Sequence, residues 1–352
     1  MSTPRTASTD PWPKEPSPRE PWPRDPWPKD PRATDLVTSR RNPAVVEARK
    51  LEARKHRRAQ ERFLVEGLQL LHMALEAGHR PLDAFFAPAV LDDPSTPPAA
   101  RALPDRLAGA GARMHAVTAD VLASLCERDE LQGIVATFAT FGWALPPAGS
   151  RADGDAAAFD AAIARRQAEG LVPRPGAPGL VLVLDRLQDP GNLGTLIRTA
   201  DAAGADAVIL VEPCVDPFDP RAVRGSMGSL FTLPLGWVSD ADALAAWLRG
   251  AGYRVVGADA HGGELWGTGV FGPGSEGTGS EDDGSAGVPG VALVLGNEAR
   301  GLSPDIDDLA AARVRLPIVG RAESLNVAVA GGILMYAWLR EVRSRSDDGI
   351  LG

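Results

Sequence analysis

The stretch LVLVLDRLQDPGNLGTLIRTADAAGADAVILV (180–211) contains the pattern strand, glycine-bearing turn, helix and second strand. Its two apolar runs, LVLVLD and AVILV, are continuous rather than alternating, which is typical of strands that are buried on both faces. The same rhythm of apolar strands and helices continues to about residue 340. The pattern therefore predicts an α/β fold with a parallel sheet covered by helices on both sides.

Polar, glycine-bearing loops follow three of the predicted strands, just after Asp185, Leu295 and Ile318. In sheets of this type, ligands bind beyond the carboxyl ends of the strands. Glycine lets a backbone turn sharply or approach a ligand closely. The sequence therefore predicts one ligand site that is built from three loops distant along the chain.

Length and composition limit the class of protein. The chain has 352 residues, of which 44% are hydrophobic, enough for two globular domains. Its two cysteines, Cys126 and Cys214, fit neither a metal-ligand spacing nor a disulfide framework, which indicates a reducing, cytoplasmic setting and no metal. No apolar run approaches the roughly 18 residues of a membrane span.

Charge is unevenly distributed along the chain. The formal net charge is -9, which by itself argues against a nucleic-acid partner. Residues 36–80, however, hold ten Lys/Arg against five Asp/Glu, a local balance of +5. That segment is a candidate surface for binding RNA phosphates.

Composition predicts five segments. Residues 1–35 repeat DPWP-like units and are expected to be disordered, 36–140 form a small α/β module, and 141–178 read as a linker with one helix near AAFDAAIARRQAEG. Residues 179–345 form the α/β domain. The acidic, Gly/Ser-rich stretch 262–290 within it is expected to be a disordered insertion.

Three motifs resemble those of the SpoU (TrmH-type) branch of the SPOUT RNA methyltransferases. They are NLGTLIRTADAAGAD (192–206), LVLGNEARGLSP (293–304) and LPIVGRAESLNVAVAGGIL (316–334), and they occur in that order. SRRNPAVVEARKLEARKHRRAQERFLVEG (39–67) is similar to the ribosomal-protein-like substrate domain that precedes the catalytic domain in many members. About 270 residues take part in the resemblance.

The resemblance implies a SPOUT-type parallel sheet whose C-terminal segment forms a trefoil knot, with S-adenosylmethionine bound in the knot and two subunits pairing as a homodimer. The substrate would be a ribose 2′-hydroxyl of RNA, with ribosomal RNA favoured over transfer RNA. The implied cofactor-binding residues are Gly296, Leu316, Ile318 and Leu325. The implied polar active-site residues are Asn192, Arg198, Glu298, Ser324 and Asn326.

Roles follow from side-chain chemistry. Because a guanidinium is effectively never deprotonated, Arg198 is expected to anchor a phosphate and stabilise developing negative charge rather than act as a base. Glu298 would attract the sulfonium or orient Arg198, while Ser324 and Asn326 would position the hydroxyl and the cofactor carboxylate. The expected RNA contacts lie on one basic helix and the residues before it: Arg40, Arg41, Arg49, Lys50, Arg54, Lys55, Arg57 and Arg58.

Alternatives exist for each feature. Asn192, Ser324 and Asn326 could serve only as helix caps, and the basic helix could be a solvated surface. A catalytically idle RNA-binding protein would bind RNA without the cofactor. A nicotinamide-dependent Rossmann enzyme is a third reading of 180–204, although Gly191 and Gly194 do not make the G-x-G-x-x-G pattern.

Overall fold

A computed structural model describes residues 35–127, 131–145, 154–173, 179–260, 262–267, 269–271 and 289–345. The predicted disordered tail, 1–35, lies outside these residues except for Asp35. The chain divides into two compact units, Met1–Phe141 and Gly142–Gly352.

The first unit is a four-stranded mixed sheet with helices. Its strands are β1 (Arg62–Glu66), β2 (Pro81–Phe86), β3 (Arg113–Ala116) and β4 (Ile134–Ala139), in the order β1-β4-β2-β3. β4 runs antiparallel to both of its neighbours, and β2 runs parallel to β3. The helices are α1 (Pro43–Lys50), α2 (Arg54–Gln60), α3 (Leu68–Glu76), α4 (Pro88–Leu91), α5 (Pro98–Gly109) and α6 (Ala119–Ala123).

The basic segment of this unit differs from the single helix that the sequence predicts. Asn42 caps α1 as expected, since its side chain accepts a hydrogen bond from the Ala44 amide. The helix then stops at Lys50, and α2 starts at Arg54. Arg57 lies 3% exposed and donates to the carbonyls of Leu51 and Glu52, at 2.8 and 2.7 Å. It therefore satisfies carbonyls at the end of α1, which an uninterrupted helix would not leave open.

A buried carboxylate ties the strands of the first unit together. Asp83 is 2% exposed, and its oxygens lie 2.7 Å from Arg62 Nη1, 2.9 Å from Arg113 Nη2 and 2.9 Å from His115 Nε2. Burial would raise the pKa of Asp83, but the hydrogen bonds from His115 and Arg113 outweigh burial and hold that pKa below its usual value. The carboxylate is therefore ionised in the folded protein at neutral pH.

The second unit is an eight-stranded sheet in which every described pairing is parallel. Its strands are β5 (Trp143–Ala144), β6 (Leu180–Asp185), β7 (Ala207–Val211), β8 (Leu235–Val238), β9 (Tyr253–Ala258), β10 (Glu264–Leu265), β11 (Gly290–Leu295) and β12 (Ala312–Arg315). The order is β10-β12-β9-β11-β6-β7-β8-β5. The helices are α7 (Gly154–Ala168), α8 (Pro190–Ala202), α9 (Pro220–Gly225), α10 (Ala241–Gly250), α11 (Pro304–Asp307) and α12 (Val327–Arg345).

The central strands confirm the prediction from apolar runs. Every residue of β6, β7 and β11 is buried, as expected for strands covered on both faces. β6 and β11 are neighbours in the sheet, although 104 residues of chain lie between the end of β6 and the start of β11. Their carboxyl ends, Asp185 and Leu295, therefore lie side by side at one edge of the sheet.

Two segments contain more structure than their composition predicts, although α7 coincides with the helix expected near AAFDAAIARRQAEG. Within 141–178, β5 pairs with β8 and α7 packs its Phe159 and Ile163 into the core of the second unit, because those side chains are apolar at helical spacing. In the acidic insertion 262–290, β10 pairs with β12 and Phe271 is 4% exposed. The start of that insertion is therefore ordered, and residues 272–288 lie outside the described residues.

Glycines allow α8 to pack closely against α9 and α12. A Cβ placed on Gly194 would lie 2.6 Å from the carbonyl oxygen of Ala222 and 2.9 Å from Cα of Gly225. A Cβ on Gly331 would lie 2.6 Å from a methyl of Leu196. These contacts explain why helices tolerate glycine here despite its low helix propensity.

Candidate active site

A hydrogen-bonded chain connects the three motif loops at the carboxyl edge of the second unit's sheet. Asn192 Nδ2 donates to Glu298 Oε1 at 3.2 Å, and Asn326 Nδ2 donates to Asn192 Oδ1 at 2.9 Å. Glu298 lies 106 positions after Asn192 in the sequence, and Asn326 lies 134 positions after Asn192. The structure thus brings together one polar side chain from each loop.

Glu298 faces the start of α8. Its carboxylate also accepts from the backbone amides of Gln188 and Asp189, each at 3.4 Å. Negative charge is favourable at a helix N-terminus, where amides have no intrahelical partner. Of the two roles expected for Glu298, orienting Arg198 does not match this geometry, because its described partners are Asn192 and the helix start.

The two asparagines differ in whether they cap a helix. Asp189, not Asn192, caps α8, since its side chain accepts from the Asn192 amide at 2.8 Å. Asn192 lies inside the helix, which leaves its side chain available to link Glu298 and Asn326. Asn326 combines both functions, because its Oδ1 accepts from the Ala328 amide at 2.9 Å while its Nδ2 reaches Asn192.

The loop after β11 folds back so that its own backbone packs closely against Gly296. A Cβ at this position would lie 2.2 Å from the carbonyl carbon of Gly301 and 2.4 Å from the Leu302 amide nitrogen. Asn297 and Gly301 exchange two backbone hydrogen bonds of 2.9 Å and close the loop. Only glycine fits at 296. This close backbone packing fixes the loop and, with it, the position of Glu298.

Two positioning residues were not identified as site residues from the sequence. Asp185, fully buried at the end of β6, accepts from the Ser303 amide at 2.6 Å and fastens the end of the 296–303 loop. Asn297 Nδ2 donates to the carbonyl of Arg186 at 2.9 Å and fastens its start. A polar residue at the last position of a buried strand was a signal for Asp185, whereas nothing in the sequence distinguished Asn297 from a surface amide.

The segment 316–325 supplies unpaired polar backbone beside this network. Within the described part of the chain, no backbone N–H or C=O of residues 317–325 is hydrogen-bonded. Leu316 and Ile318 are half-buried, Leu325 is 40% exposed, and Ser324 is exposed and bonds no described residue. Free amides and carbonyls next to apolar side chains suit the donor and acceptor edge of an adenine ring, which is flat and largely apolar on its faces.

Arg198 stands apart from the polar chain. It is exposed on α8, and its guanidinium makes no hydrogen bond or ion pair with any described residue. Gly194, one turn before it, packs against α9, whereas Thr199, one position after it, faces α12, where a Cβ on Gly332 would lie 3.5 Å from its methyl group. Arg198 therefore lies on the solvent-facing arc of α8 between those two helices, with its charge uncompensated.

The nicotinamide alternative does not match the geometry. Gly191 and Gly194 both lie inside α8 rather than in a loop before it. Gly194 provides the close helix contact with α9 described above. Glycines of a dinucleotide-binding turn would instead present backbone amides to a pyrophosphate.

In the first unit, the expected RNA contacts differ in burial and pairing. Arg57 is buried and cannot meet a phosphate without unfolding the turn between α1 and α2, so this assignment is wrong. Arg40 pairs with Asp120, and Lys50 with Glu47. Arg54 is half-buried, and the exposed members of the set that remain are Arg41, Arg49, Lys55 and Arg58.

Comparison with known proteins identifies both units. Residues 179–336 match the SpoU rRNA Methylase family, and residues 42–136 match the MRM3-like substrate binding domain. An AdoMet-bound rRNA methyltransferase from Sinorhizobium meliloti is 31% identical, with a TM-score of 0.66, over 87% of this chain and 97% of that one. The AdoMet complex of the SpoU methyltransferase AviRb from Streptomyces viridochromogenes is 28% identical, with a TM-score of 0.64, over 86% and 99%.

One relative found by sequence comparison is named for the reaction that it catalyses. The 23S rRNA (guanosine(2553)-2′-O)-methyltransferase RlmP of Bacillus subtilis is 36% identical over 159 residues, which are 44% of this chain and 56% of RlmP. Among the described helices, none has both the length and the apolar character needed to cross a membrane.

Proposed function

We propose, from the premise that this chain belongs to the SpoU rRNA methylase family, that it methylates the 2′-hydroxyl of a ribose in RNA with S-adenosylmethionine as methyl donor. The observation that carries the proposal is the chain Glu298–Asn192–Asn326, since its side-chain hydrogen bonds link polar residues of all three motifs into one site. The similar proteins named as 2′-O-methyltransferases and as AdoMet complexes support the same reaction.

The cofactor would be held at the loops after β11 and β12. The backbone of Ile318 and Leu325 offers unpaired donors and acceptors for its adenine and ribose, and Leu316 and the closely packed backbone at Gly296 would complete the pocket. Ser324 is an uncharged partner for its amino-acid group. When bound, S-adenosylmethionine supplies an electrophilic methyl group on a positively charged sulfur.

The chain's own residues would orient the hydroxyl and balance charge. Asn192 and Asn326 hold each other in place, so the remaining lone pairs and N–H groups of the two amides present a fixed polar edge to the ribose. Glu298 fixes the Asn192 amide. Arg198, which keeps its positive charge, would stabilise the oxygen as its proton leaves and hold the neighbouring phosphate.

RNA would be bound by cations of the first unit. Arg41, Arg49, Lys55 and Arg58 offer exposed cations for phosphates, and such contacts give affinity that falls steeply with salt. Ribosomal RNA is the favoured substrate, because RlmP is named as a 23S rRNA methyltransferase and the Sinorhizobium meliloti protein as an rRNA methyltransferase. We assign the RNA-binding domain to 36–140 and the methyltransferase domain to 179–345.

A second copy of this chain would cover α12. Val329, Ile333 and Tyr336 are 53, 36 and 50% exposed, and their spacing places them on one face of the helix. The stripe begins three residues after Asn326, so a partner seated on it would border the site. We further propose the trefoil knot typical of the family and a cytoplasmic location.

Two measurements test these proposals. Isothermal titration calorimetry of the full chain with S-adenosylmethionine tests the cofactor, and mapping of 2′-O-methyl sites in total RNA from cells with and without the gene tests the reaction and names the nucleotide. Absence of heat and absence of any lost methyl site would contradict the enzyme assignment. RNA binding without cofactor binding would favour the catalytically idle alternative.

Sedimentation equilibrium tests the dimer. Ile333→Asp should convert dimer to monomer, because it places a charge at the centre of the stripe. The matched control is Leu171→Asp, which changes a leucine that is 49% exposed elsewhere in the second unit. A wild-type chain that sediments as a monomer would overturn this part of the proposal.

A further inference from the structure

Arg186, the residue directly after β6, has a left-handed backbone with φ of +56°. Among the described residues, only two other non-glycine residues have positive φ, namely Glu61 and Met227. This region favours Gly, Asn and Asp, and other side chains are strained there by roughly 1–2 kcal/mol. A strained residue at the edge of a candidate site is a reason to ask what its side chain does.

The conformation is fixed by contacts on both sides of the residue. The Arg186 amide donates to the carbonyl of Val211 at the end of β7, at 3.3 Å, and its carbonyl accepts from Asn297 Nδ2 at 2.9 Å. These bonds attach it to the neighbouring strand and to the loop that carries Glu298. Because the surroundings fix the backbone, any side chain that disfavours positive φ, arginine included, stays strained at this position.

The side chain is held at its base and free at its tip. Arg186 Nε lies 3.7 Å from Oδ1 of Asp185, a fully buried carboxylate oxygen that has no hydrogen bond, and the side chain is 48% exposed. Its terminal nitrogens contact no hydrogen-bonding partner among the described residues. The base is thus restrained by charge while the planar end of the guanidinium faces solvent.

The position lies at the carboxyl edge of the sheet, at the start of the loop that leads to Asn192, and it is hydrogen-bonded to the loop that carries Glu298. The acidic side chains nearby, Asp189 and Glu298, would repel an RNA backbone, so a strand entering this edge needs a local cation. A guanidinium matches a phosphate in a bidentate, planar manner, which lysine cannot reproduce. A phosphate contact fixes the register of a nucleic acid without reading its sequence.

We infer that Arg186 binds a phosphate of the RNA strand next to the methylated ribose, and that the strained backbone serves to aim it there. The inference rests on the proposed function, and it adds a residue that the three motifs do not assign. It accounts for an arginine where a glycine or asparagine would relieve the strain.

The test separates RNA binding from folding and from cofactor binding. Arg186→Gly and Arg186→Asn remove the charge and relieve the strain, and Arg186→Lys keeps the charge but loses the planar group. Arg249→Gln is the matched control, since Arg249 is exposed at the end of α10, at the opposite edge of the sheet. Each full-length variant is titrated into a fluorescein-labelled RNA hairpin of mixed sequence, and anisotropy is recorded from about 50 to about 200 mM KCl, where phosphate contacts dominate the salt dependence.

We expect Arg186→Gly and Arg186→Asn to weaken binding to the hairpin by about tenfold and to reduce the salt slope by about one, as for a lost phosphate contact. Their melting temperature should be unchanged or higher, and their affinity for S-adenosylmethionine should match the wild type. Arg186→Lys should keep the slope with intermediate affinity, and Arg249→Gln should bind as the wild type does.

Wild-type affinity and slope in Arg186→Asn would overturn the inference. A lower melting temperature together with weaker cofactor binding would overturn it too, since Arg186 would then act only through Asp185 and the loop. If the wild-type chain binds neither the hairpin nor S-adenosylmethionine, the proposed function itself fails. If the wild-type chain binds both the cofactor and the hairpin, and the Arg186 variants bind them equally well, only the role of Arg186 is refuted.

Discussion

The link between Asn192 and Glu298 is open to a substitution that changes one atom. Asn192→Asp replaces Nδ2, which donates to Glu298 Oε1 at 3.2 Å, by an oxygen of nearly the same size. The new side chain can still accept the hydrogen bond from Asn326. Only the contact with Glu298 turns from attraction to repulsion.

The size of the effect follows from that distance. Two unit charges about 3.2 Å apart repel by about 1.3 kcal/mol in a water-like medium and by about 5 kcal/mol at an effective dielectric constant of 20. Because Glu298 is exposed, the lower figure applies more closely, and loss of a charge-assisted hydrogen bond adds roughly 1.5–3 kcal/mol. A total of about 3–4 kcal/mol corresponds to a fall in kcat/KM of about 150- to 1000-fold.

The assay is transfer of tritium from methyl-labelled S-adenosylmethionine to ribosomal RNA from a strain that lacks the gene. The control is the exchanged pair, Asn192→Asp with Glu298→Gln, in which an amide again faces a carboxylate. We expect kcat/KM of the exchanged pair to be at least tenfold higher than that of Asn192→Asp alone. Activity of Asn192→Asp within threefold of wild type, or a double variant no better than Asn192→Asp alone, would refute the proposed role of this link.

Three further outcomes are expected. Gly194→Ala should lower the melting temperature by several degrees, because its Cβ would meet the Ala222 carbonyl at 2.6 Å and such overpacking costs about 1–3 kcal/mol; Gly109→Ala, with nothing within 4 Å, is the control that should not lower it. The low pKa of Asp83 stabilises the fold above the carboxyl's unfolded pKa of about 4, and this stability is lost as pH falls through the folded pKa. Asp83→Asn should therefore flatten the acid side of a plot of melting temperature against pH, and an unchanged acid side would contradict the assignment. Arg198→Ala should lower turnover by about 10²- to 10³-fold while calorimetry finds S-adenosylmethionine affinity within threefold, whereas equal losses would argue for a role in cofactor binding.

Much of the second unit's fold could be predicted from local pattern. Continuous apolar runs gave the buried strands β6, β7 and β11, and polar residues after the strands gave the edge where the site lies. The order of the strands could not be obtained in this way. β11 pairs with β6 through contacts between distant residues, and apolar runs of equal length and character do not specify their neighbours.

The site was predictable in its residue types but not in its contacts. Asn192, Glu298 and Asn326 were identified by the resemblance, while their mutual hydrogen bonds depend on angles between helices and loops that no spacing determines. Arg57 shows the opposite error. Its charge predicted a surface position, but the break between α1 and α2 leaves carbonyls without helical partners, and the Arg57 guanidinium satisfies two of them.

The acidic insertion joins the sheet at both ends. It leaves after β9, adds β10 to the edge, buries Phe271 and returns to begin β11 at Gly290. Because strand pairing holds both ends, the sheet itself sets the register of β10 and β11, whatever length of chain joins them.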